Sequence, residues 1–415
     1  MLLISKPCFI MDLMKHNKIK GLRRINSMNN TMTILSQFQS LFSRSVFEKL
    51  SKEHRTDKNV RTFSTWNLLT VMLYAHVSIR KSFRDICINL QSMKKRWYHL
   101  GLVSISRNNL SNSLAKRSSQ VFEKMFLHLV QKVTSEKNGN HSKKFKFKNP
   151  LYAIDSTTIS LCIALFCWAS FRSTKAGIKA HTMYDIKNGI PSFMSITEAK
   201  CHDHNALHEM PFKKGDIVAL DRAYLCLKTL QNINKIGAFF VTRSKSNTLY
   251  RVIKKMDVTG KGIQADNIIK FTGVKSHEYP GHLRMVRYIN QDDGNEYVFI
   301  TNNFTLSAKT IADIYKSRWE IELFFKWIKQ NLRIKNFFGT SENAVRIQIW
   351  TAAIAYLLTE YIRFLSKTSY SLAQTFRIIG SNIFERRCIF RLLSEPPDIA
   401  RHKYFRLDLQ LDLGF

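Results

Sequence analysis

From Thr33 to about Val133 the apolar positions fall three and four residues apart, most clearly in Phe63–Ala75 and Phe122–Val133, with few strand signals and almost no Gly or Pro. That periodicity predicts helices. Between these two runs, Val103-Ser-Ile-Ser predicts a turn, and the following Arg107-Asn-Asn-Leu-Ser-Asn-Ser-Leu-Ala-Lys-Arg117 a Ser-capped helix with Asn, Ser and Arg at its polar positions. The pattern changes at Pro150. Leu151-Tyr-Ala-Ile-Asp155 reads as a buried strand ending in a carboxylate, and Ile178–Tyr184 and Pro191–Ala199 alternate as further strands about an Asn188-Gly189 turn. Asp216-Ile-Val-Ala-Leu-Asp221 is another strand ending in a carboxylate, followed by a helix at Leu225–Ile236 and the strand Ala238–Arg243. This order predicts an α/β fold, a mixed sheet with crossover helices.

Residues 246–296 carry β-branched residues and turns without a long helical period, which predicts a β-rich insertion rather than part of the main sheet. Glu296–Asn303 returns as a strand. Ser307 to Leu332 contains neither Gly nor Pro and opens at a Ser cap, so it predicts one continuous helix. After Gly339 the chain reads as helical through Leu393. The expected organisation is an extension at 1–32, a helical domain at 33–134, a polar basic linker at 135–149, an α/β core at 150–338 and a helical region at 339–415. Met28 and Met32 both precede the first patterned segment, so either is an alternative start to Met1.

Charge changes the picture. Sixty-five Lys and Arg against thirty Asp and Glu leave +35 over 415 residues, spread along the chain. Such an excess repels itself and points to a polyanionic partner, nucleic acid first. A membrane is disfavoured: no long basic amphipathic helix with a lipid face stands out, and Leu161–Phe171 and Ile347–Thr359 are too short or too polar to span a bilayer. Nucleic acid gives the 103–117 segment two readings, an ordinary capped surface helix or a DNA-reading one. Seven cysteines, odd in number and without C-x-x-C spacing, predict reduced thiols in the cytoplasm, with neither zinc site nor disulfide framework.

The candidate chemistry concentrates in the Ser307–Leu332 helix. At about 100° per residue, Tyr315, Arg318, Glu322, Lys326, Lys329 and Arg333 share one narrow face, while Ile321, Leu323, Phe324, Trp327 and Ile328 take the rest. Exposed i,i+4 ion pairs would be one explanation. The other is a carboxylate aimed at a metal with cations beside it aimed at phosphates. Asp155 and Asp221 support the second, because strand ends in an open sheet converge on one edge. Carboxylates held together there cannot all stay ionised without a cation. All-oxygen ligation suits Mg²⁺ or Mn²⁺, and two ions roughly 3.5–4 Å apart would clamp the attacking and leaving oxygens of a phosphodiester.

Asp155-Ser-Thr-Thr, Asp221-Arg-Ala-Tyr, Thr301-Asn-Asn-Phe and the Tyr315/Arg318/Glu322/Lys329 signature resemble the DDE transposases of bacterial insertion sequences, most closely the insertion-sequence-four family in its Bacteroidetes-type form. The resemblance covers roughly 33–390. It implies an RNase H-like mixed-sheet core with a β-rich insertion, preceded and followed by helical regions, the first of which binds DNA. It further implies that Asp155, Asp221 and Glu322 hold two Mg²⁺, with Mn²⁺ able to substitute. Tyr315, Arg318 and Lys329, with Lys326 and Arg333 on the same face, would hold the backbone of the transposon end. The implied partners are double-stranded DNA, as transposon ends and target, and a second copy of the chain on that DNA, with no membrane and no small-molecule substrate. The implied place of action is the bacterial cytoplasm. Two other readings stay open, a catalytically inactive DNA-binding derivative and a nuclease of the same fold that cuts without joining.

Several neighbours have plainer readings. His181, with Lys175 and Lys179, is scaffold or a phosphate contact. Cys201-His-Asp-His204 is a loop near the active edge rather than a metal site. Trp168, Trp319, Trp327 and Trp350 read as core aromatics, and Asp185 and Asp203 as weaker alternatives to the two chosen aspartates.

Overall fold

The computed structural model describes residues 32–137, 145–172, 175–201, 203–291, 294–331 and 337–394, with only the backbone for His99, Phe171, Arg172, Lys175 and His204. The expected extension, part of the linker, the basic tail and Arg333 lie outside the described residues.

Among the described residues six α-helices come first: α1 (Ile34–Ser40), α2 (Arg44–Glu53), α3 (Thr65–Val77), α4 (Phe83–Ser92), α5 (Arg107–Lys116) and α6 (Gln120–Lys137). The first five start at Thr33, Ser43, Ser64, Ser82 and Ser106, each of whose side chains accepts from a backbone N–H in the first turn. Every residue of α3 is buried, as expected of a helix that is apolar around its whole circumference. Its packing partner comes from the other end of the chain. Helix α11 (Glu342–Ser366) runs through the same core, with Trp350 against Phe126 of α6 (5.5 Å between ring centroids) and Thr351 hydrogen-bonded to His76 of α3. Helices α12 (Leu372–Ser381) and α13 (Ile389–Ser394) close this bundle.

The middle of the chain forms a ten-stranded sheet from β1 (Leu151–Leu161), β2 (Ser170–Arg172), β3 (Lys175–Asp185), β4 (Ile190–Glu198), β5 (Ile217–Leu220), β6 (Phe239–Arg243), β7 (Tyr250–Lys255), β8 (Ile263–Phe271), β9 (Leu283–Ile289) and β10 (Glu296–Thr301). Its central order is β4-β3-β1-β5-β6, with β4, β3 and β1 antiparallel and β1, β5 and β6 parallel. That is an RNase H-like core. Short helix α7 (Asp203–Ala206) and helix α8 (Leu227–Ile236) lie in its crossovers. Both faces are covered, so successive residues of β5 enter opposite cores. Ile217 and Ala219 join the core shared with the helical bundle, and Val218 and Leu220 the core under α8. A central strand buried on both sides reads as an unbroken apolar run.

Two expectations are corrected. The segment 246–296 is not separate from the main sheet: β9 pairs with β10, which pairs with β6, so β7, β8 and β9 extend the sheet edge. Second, the described part of the expected Ser307–Leu332 helix is two helices, α9 (Ala308–Ser317) and α10 (Trp319–Asn331), interrupted at Arg318. The buried Ser317 hydroxyl donates to the Ile314 carbonyl at 2.6 Å, a back-bond that bends helices. The backbone then tightens to i→i+3 bonds, Arg318 N–H to Tyr315 O and Ile321 N–H to Arg318 O. Among the described residues no helix is long and apolar enough to cross a membrane.

Candidate active site

Parallel pairing sets the first two carboxylates level with each other. Ile154 of β1 is registered with Leu220 of β5, so Asp155 and Asp221 occupy the next position on each chain. Asp221 follows the end of β5, whereas Asp155 lies within β1, at the point where β1 outlasts its parallel neighbour. Each aspartate spends one oxygen on nearby backbone. Asp155 Oδ1 accepts from Ser156 N–H (2.8 Å), and Asp221 Oδ1 accepts from Ala223 N–H (3.0 Å) as the cap of a short 3-10 turn.

The other oxygens face Arg318. Its guanidinium lies 3.2 Å from Asp155 Oδ2, 4.0 Å from Asp221 Oδ2 and 2.5 Å from Glu322 Oε1, with the Arg318 side chain only 12% exposed. One cation therefore stands among the three carboxylates singled out in the sequence. Burial pushes the Asp155 carboxyl up to about 6, with Arg318 pulling against it. Burial also opposes the charge on Arg318, but Glu322, Tyr315 and Asp155 outweigh it and raise its pKa. Arg318 Nε is buried without a hydrogen-bond partner. Among the described residues no three His, Cys, Asp or Glu side chains are grouped to hold a metal ion as they stand.

The rest of the stripe is spread more widely. Tyr315 is half-buried against Phe299, with the Arg318 guanidinium 5.7 Å from its ring centre. Lys326 is exposed on α10 and Lys329 half-buried in its last turn. Trp350 is buried and Trp327 packs on Tyr356 and Phe376, as expected of core aromatics. Trp168 is half-buried and donates to Thr340 O. Trp319 departs from that expectation: it is 57% exposed, with Leu323, one turn on, 51% exposed. The apolar circumference read from the sequence is thus incomplete on this side of α10.

Of the Cys201-His-Asp-His204 segment, His202 lies outside the described residues, and Asp203 is held firmly. Its Oδ1 accepts from the Ser156 hydroxyl (2.7 Å) and lies 3.1 Å from Lys179 Nζ and 3.7 Å from His181 Nδ1. His181 also bonds Thr197. Lys179 and His181 are therefore engaged with scaffold groups directly behind Asp155. Asp185 binds Asn188 N–H and its amide in the β3–β4 turn, away from this edge. Ser156 stands in the Asp155-Ser-Thr-Thr motif, but nothing in the sequence marks its hydroxyl as the link to Asp203. Burial pushes the His181 imidazole down to about 4 from 6.5, with Asp203 partly opposing. The native state then binds fewer protons than the unfolded chain between these values, so stability falls as pH drops through that window. The expected loss is on the order of 3 kcal/mol. Asp155, whose carboxyl is raised to about 6, acts in the opposite sense over this range, so the His181 loss is read as the difference between the parent and His181→Gln in urea titrations from pH 7 to pH 4.

Two asparagines of Thr301-Asn-Asn-Phe aim the Glu322 helix. Asn302 Oδ1 accepts from Phe240 N–H, and its amide donates to Asn234 Oδ1 and Ala238 O, tying β10 to α8 and β6. Asn303 Oδ1 accepts from Thr305 N–H and Leu306 N–H in the turn entering α9. Arg284 of β9 donates to the carbonyls of Asn303 and Leu306, and is itself held by Asp266 of β8 through two bonds of 2.8 and 2.6 Å. The strands at the sheet edge thus brace the turn ahead of Arg318 and Glu322.

A family model described as the transposase DDE domain matches residues 146–358, and one described as a domain of unknown function (DUF4372) matches 30–103. The probable transposase for insertion sequence element IS5377 of Geobacillus stearothermophilus is 27% identical over 353 residues, 84% of this chain and 90% of that one. A Sinorhizobium fredii sequence named as a transposase is 29% identical over 306 residues, 72% of this chain and 84% of that one. The solved piggyBac transposase synaptic complex with hairpin DNA overlays loosely, with a TM-score of 0.43 and 10% identity over 90% of this chain and 84% of that one.

Proposed function

As the chain belongs to the DDE transposases of insertion sequences, we propose that it binds the terminal inverted repeats of its own element and cuts and joins DNA there, with Asp155, Asp221 and Glu322 as the catalytic carboxylates. The observation that supports this most is the meeting of all three on the Arg318 guanidinium, two of them level across adjacent parallel strands. Half-buried carboxylates gathered this closely need a cation, and Arg318 stands where one is needed.

The donor set fits divalent metal. The three residues offer only carboxylate oxygens, the ligation Mg²⁺ and Mn²⁺ prefer. Asp155, Asp221 and Glu322 would hold two Mg²⁺, with Mn²⁺ as substitute, which supply Lewis acidity at the attacking and leaving oxygens of a phosphodiester. The protein's own part is positional. Each aspartate has one oxygen locked by backbone and the other facing Arg318. Arg318 transfers its guanidinium from the carboxylates to a DNA phosphate, a charge-assisted bond of the same strength class. Tyr315, Lys326 and Lys329, with Arg333 beyond the described residues, hold the backbone on either side of the scissile bond. Water attacks first, and the 3′-hydroxyl it frees then attacks target DNA. Joining two ends calls for two copies of the chain on the DNA, in the bacterial cytoplasm where that DNA lies.

The test is a duplex ending in the element's terminal repeat, incubated with the protein, a target plasmid and Mg²⁺. The expected products are a nick at the repeat boundary and end DNA joined to the plasmid. Cutting without joining would reduce the protein to a nuclease. Binding without cutting in either Mg²⁺ or Mn²⁺ would leave an inactive DNA-binding derivative.

A further inference from the structure

Helix α5 is built unlike an ordinary surface helix. Leu110, Ser113 and Leu114 face inward, while Arg107, Asn108, Asn109, Ser111, Asn112, Ala115 and Lys116 are exposed. The helix contains no acid, whereas a solvated face usually mixes both signs at i,i+4. Asparagine is a poor helix former, so three on one short helix do not serve its stability. Across from it runs the loop at 54–63, and the two enclose a cleft of about 590 Å³. Arg55, Lys58 and Arg61 line one wall, Asn109, Asn112 and Lys116 the other, and no Asp or Glu is among the lining residues. His54, also in the lining, has a buried Nε2 without a hydrogen-bond partner.

The cleft is preorganised. Arg117, at the C-terminal cap of α5 and only 7% exposed, donates to Asp57 Oδ1 (2.7 Å), Phe63 O (2.7 Å) and Thr56 O. Thr65 adds its hydroxyl and its N–H to the same Asp57 oxygen. This network pins the loop against the end of α5 and leaves its remaining cations outward. Asn343, near the start of α11, donates to Leu114 O and accepts from Ser119 N–H, fastening the same end of α5 to the core. Along α11, Tyr356 packs on Phe324 and Trp327 of the Glu322 helix (4.8 and 5.0 Å). At about 1.5 Å per residue, Asn343 and Tyr356 lie about 20 Å apart, the span of about six base pairs at ~3.4 Å each.

Resting on the transposase reading, we propose that this cleft is a second DNA site that reads base pairs within the terminal repeat, several base pairs inward from the cut. The chemistry fits duplex DNA. Asn109 and Asn112 can pair an adenine edge through its N6 and N7 in the major groove, Ala115 lets the helix approach closely, and Lys58, Arg61 and Lys116 meet the flanking phosphates. The open, cationic walls suit a small apolar ligand poorly, with Val60 and Phe63 as the apolar members of the lining.

Binding of the full chain to terminal-repeat and scrambled duplexes, in EDTA across a salt series, tests this separately from catalysis. The parent should prefer the repeat. The double variant Asn109→Ala with Asn112→Ala should lose about 10- to 100-fold of that preference, keeping its affinity for scrambled duplex and its melting temperature. Lys58→Gln with Arg61→Gln should weaken both duplexes alike and lower the salt slope by about 1.8. If the parent prefers the repeat and the asparagine variant keeps that preference, this site is wrong and the proposed function stands. An unchanged salt slope would remove the loop from the DNA contact and overturn the cleft as drawn. No preference in the parent would overturn both readings.

Discussion

Asp155→Asn, Asp221→Asn and Glu322→Gln should each abolish cutting and joining, by at least about 10³-fold, while binding the element's end within a few-fold of the parent. Each change keeps the side-chain shape and removes the charge that a divalent ion needs. Loss of folding is the competing explanation, and Asp155 separates the two. Burial raises its carboxyl to about 6, above its usual range, so the native state binds the proton more tightly than the unfolded chain. Without metal, ionising it above that pH costs stability, which is fully recovered only below the unfolded value. Asp155→Asn removes that cost at neutral pH. Its melting temperature in EDTA should equal or exceed the parent's, while its activity is lost. A fall in both would mark Asp155 as structural. The end-cleavage assay, run beside thermal melting, decides.

Asp266→Ala should destabilise the protein by about 3–5 kcal/mol, the largest stability effect we expect from a residue outside the carboxylate set. Both partners of the Asp266–Arg284 pair are 4% exposed, and the geometry is bidentate. Removing the acid leaves a buried guanidinium with only carbonyl partners, and the desolvation it has already undergone is no longer offset. The same guanidinium braces Asn303 and Leu306 ahead of the Glu322 helix, so cutting should suffer even at temperatures where the variant is folded. Replacing both residues, Asp266→Leu with Arg284→Met, should recover much of the stability but not the brace. Urea unfolding of the single and double variants provides the measurement. A loss under about 1 kcal/mol in the single variant, the range of surface pairs, would show that the pair is not buried in solution.

Much of this fold could be read in one dimension because burial leaves marks there. Val218 and Leu220 alternate with Ile217 and Ala219 into two cores, and such a strand appears as an unbroken apolar run. A carboxylate at the end of such a run is conspicuous, and parallel register brings Asp155 and Asp221 level. The β7–β9 extension gave no such mark of its attachment, since strand pairing is made by backbone groups that every residue carries. A periodicity also names a face without saying what the face meets. It collected Arg318 with Glu322 but not that Arg318 turns to the carboxylates, nor that the helix is interrupted at Arg318 or that Trp319 stays exposed. The braces were least legible, because their partners lie far apart in sequence. One signal was available: Arg284 sits inside the apolar run Leu283-Arg-Met-Val286, and a cation in a buried strand demands an acid elsewhere.

The claim that the three carboxylates form one metal-binding set is tested most directly by counting Mn²⁺ on the protein bound to end DNA, by electron paramagnetic resonance titration. Two tightly bound Mn²⁺ per chain in the parent, and fewer in each of Asp155→Asn, Asp221→Asn and Glu322→Gln, is the expected result. An equal count in the parent and all three variants, or none in the parent, would contradict it.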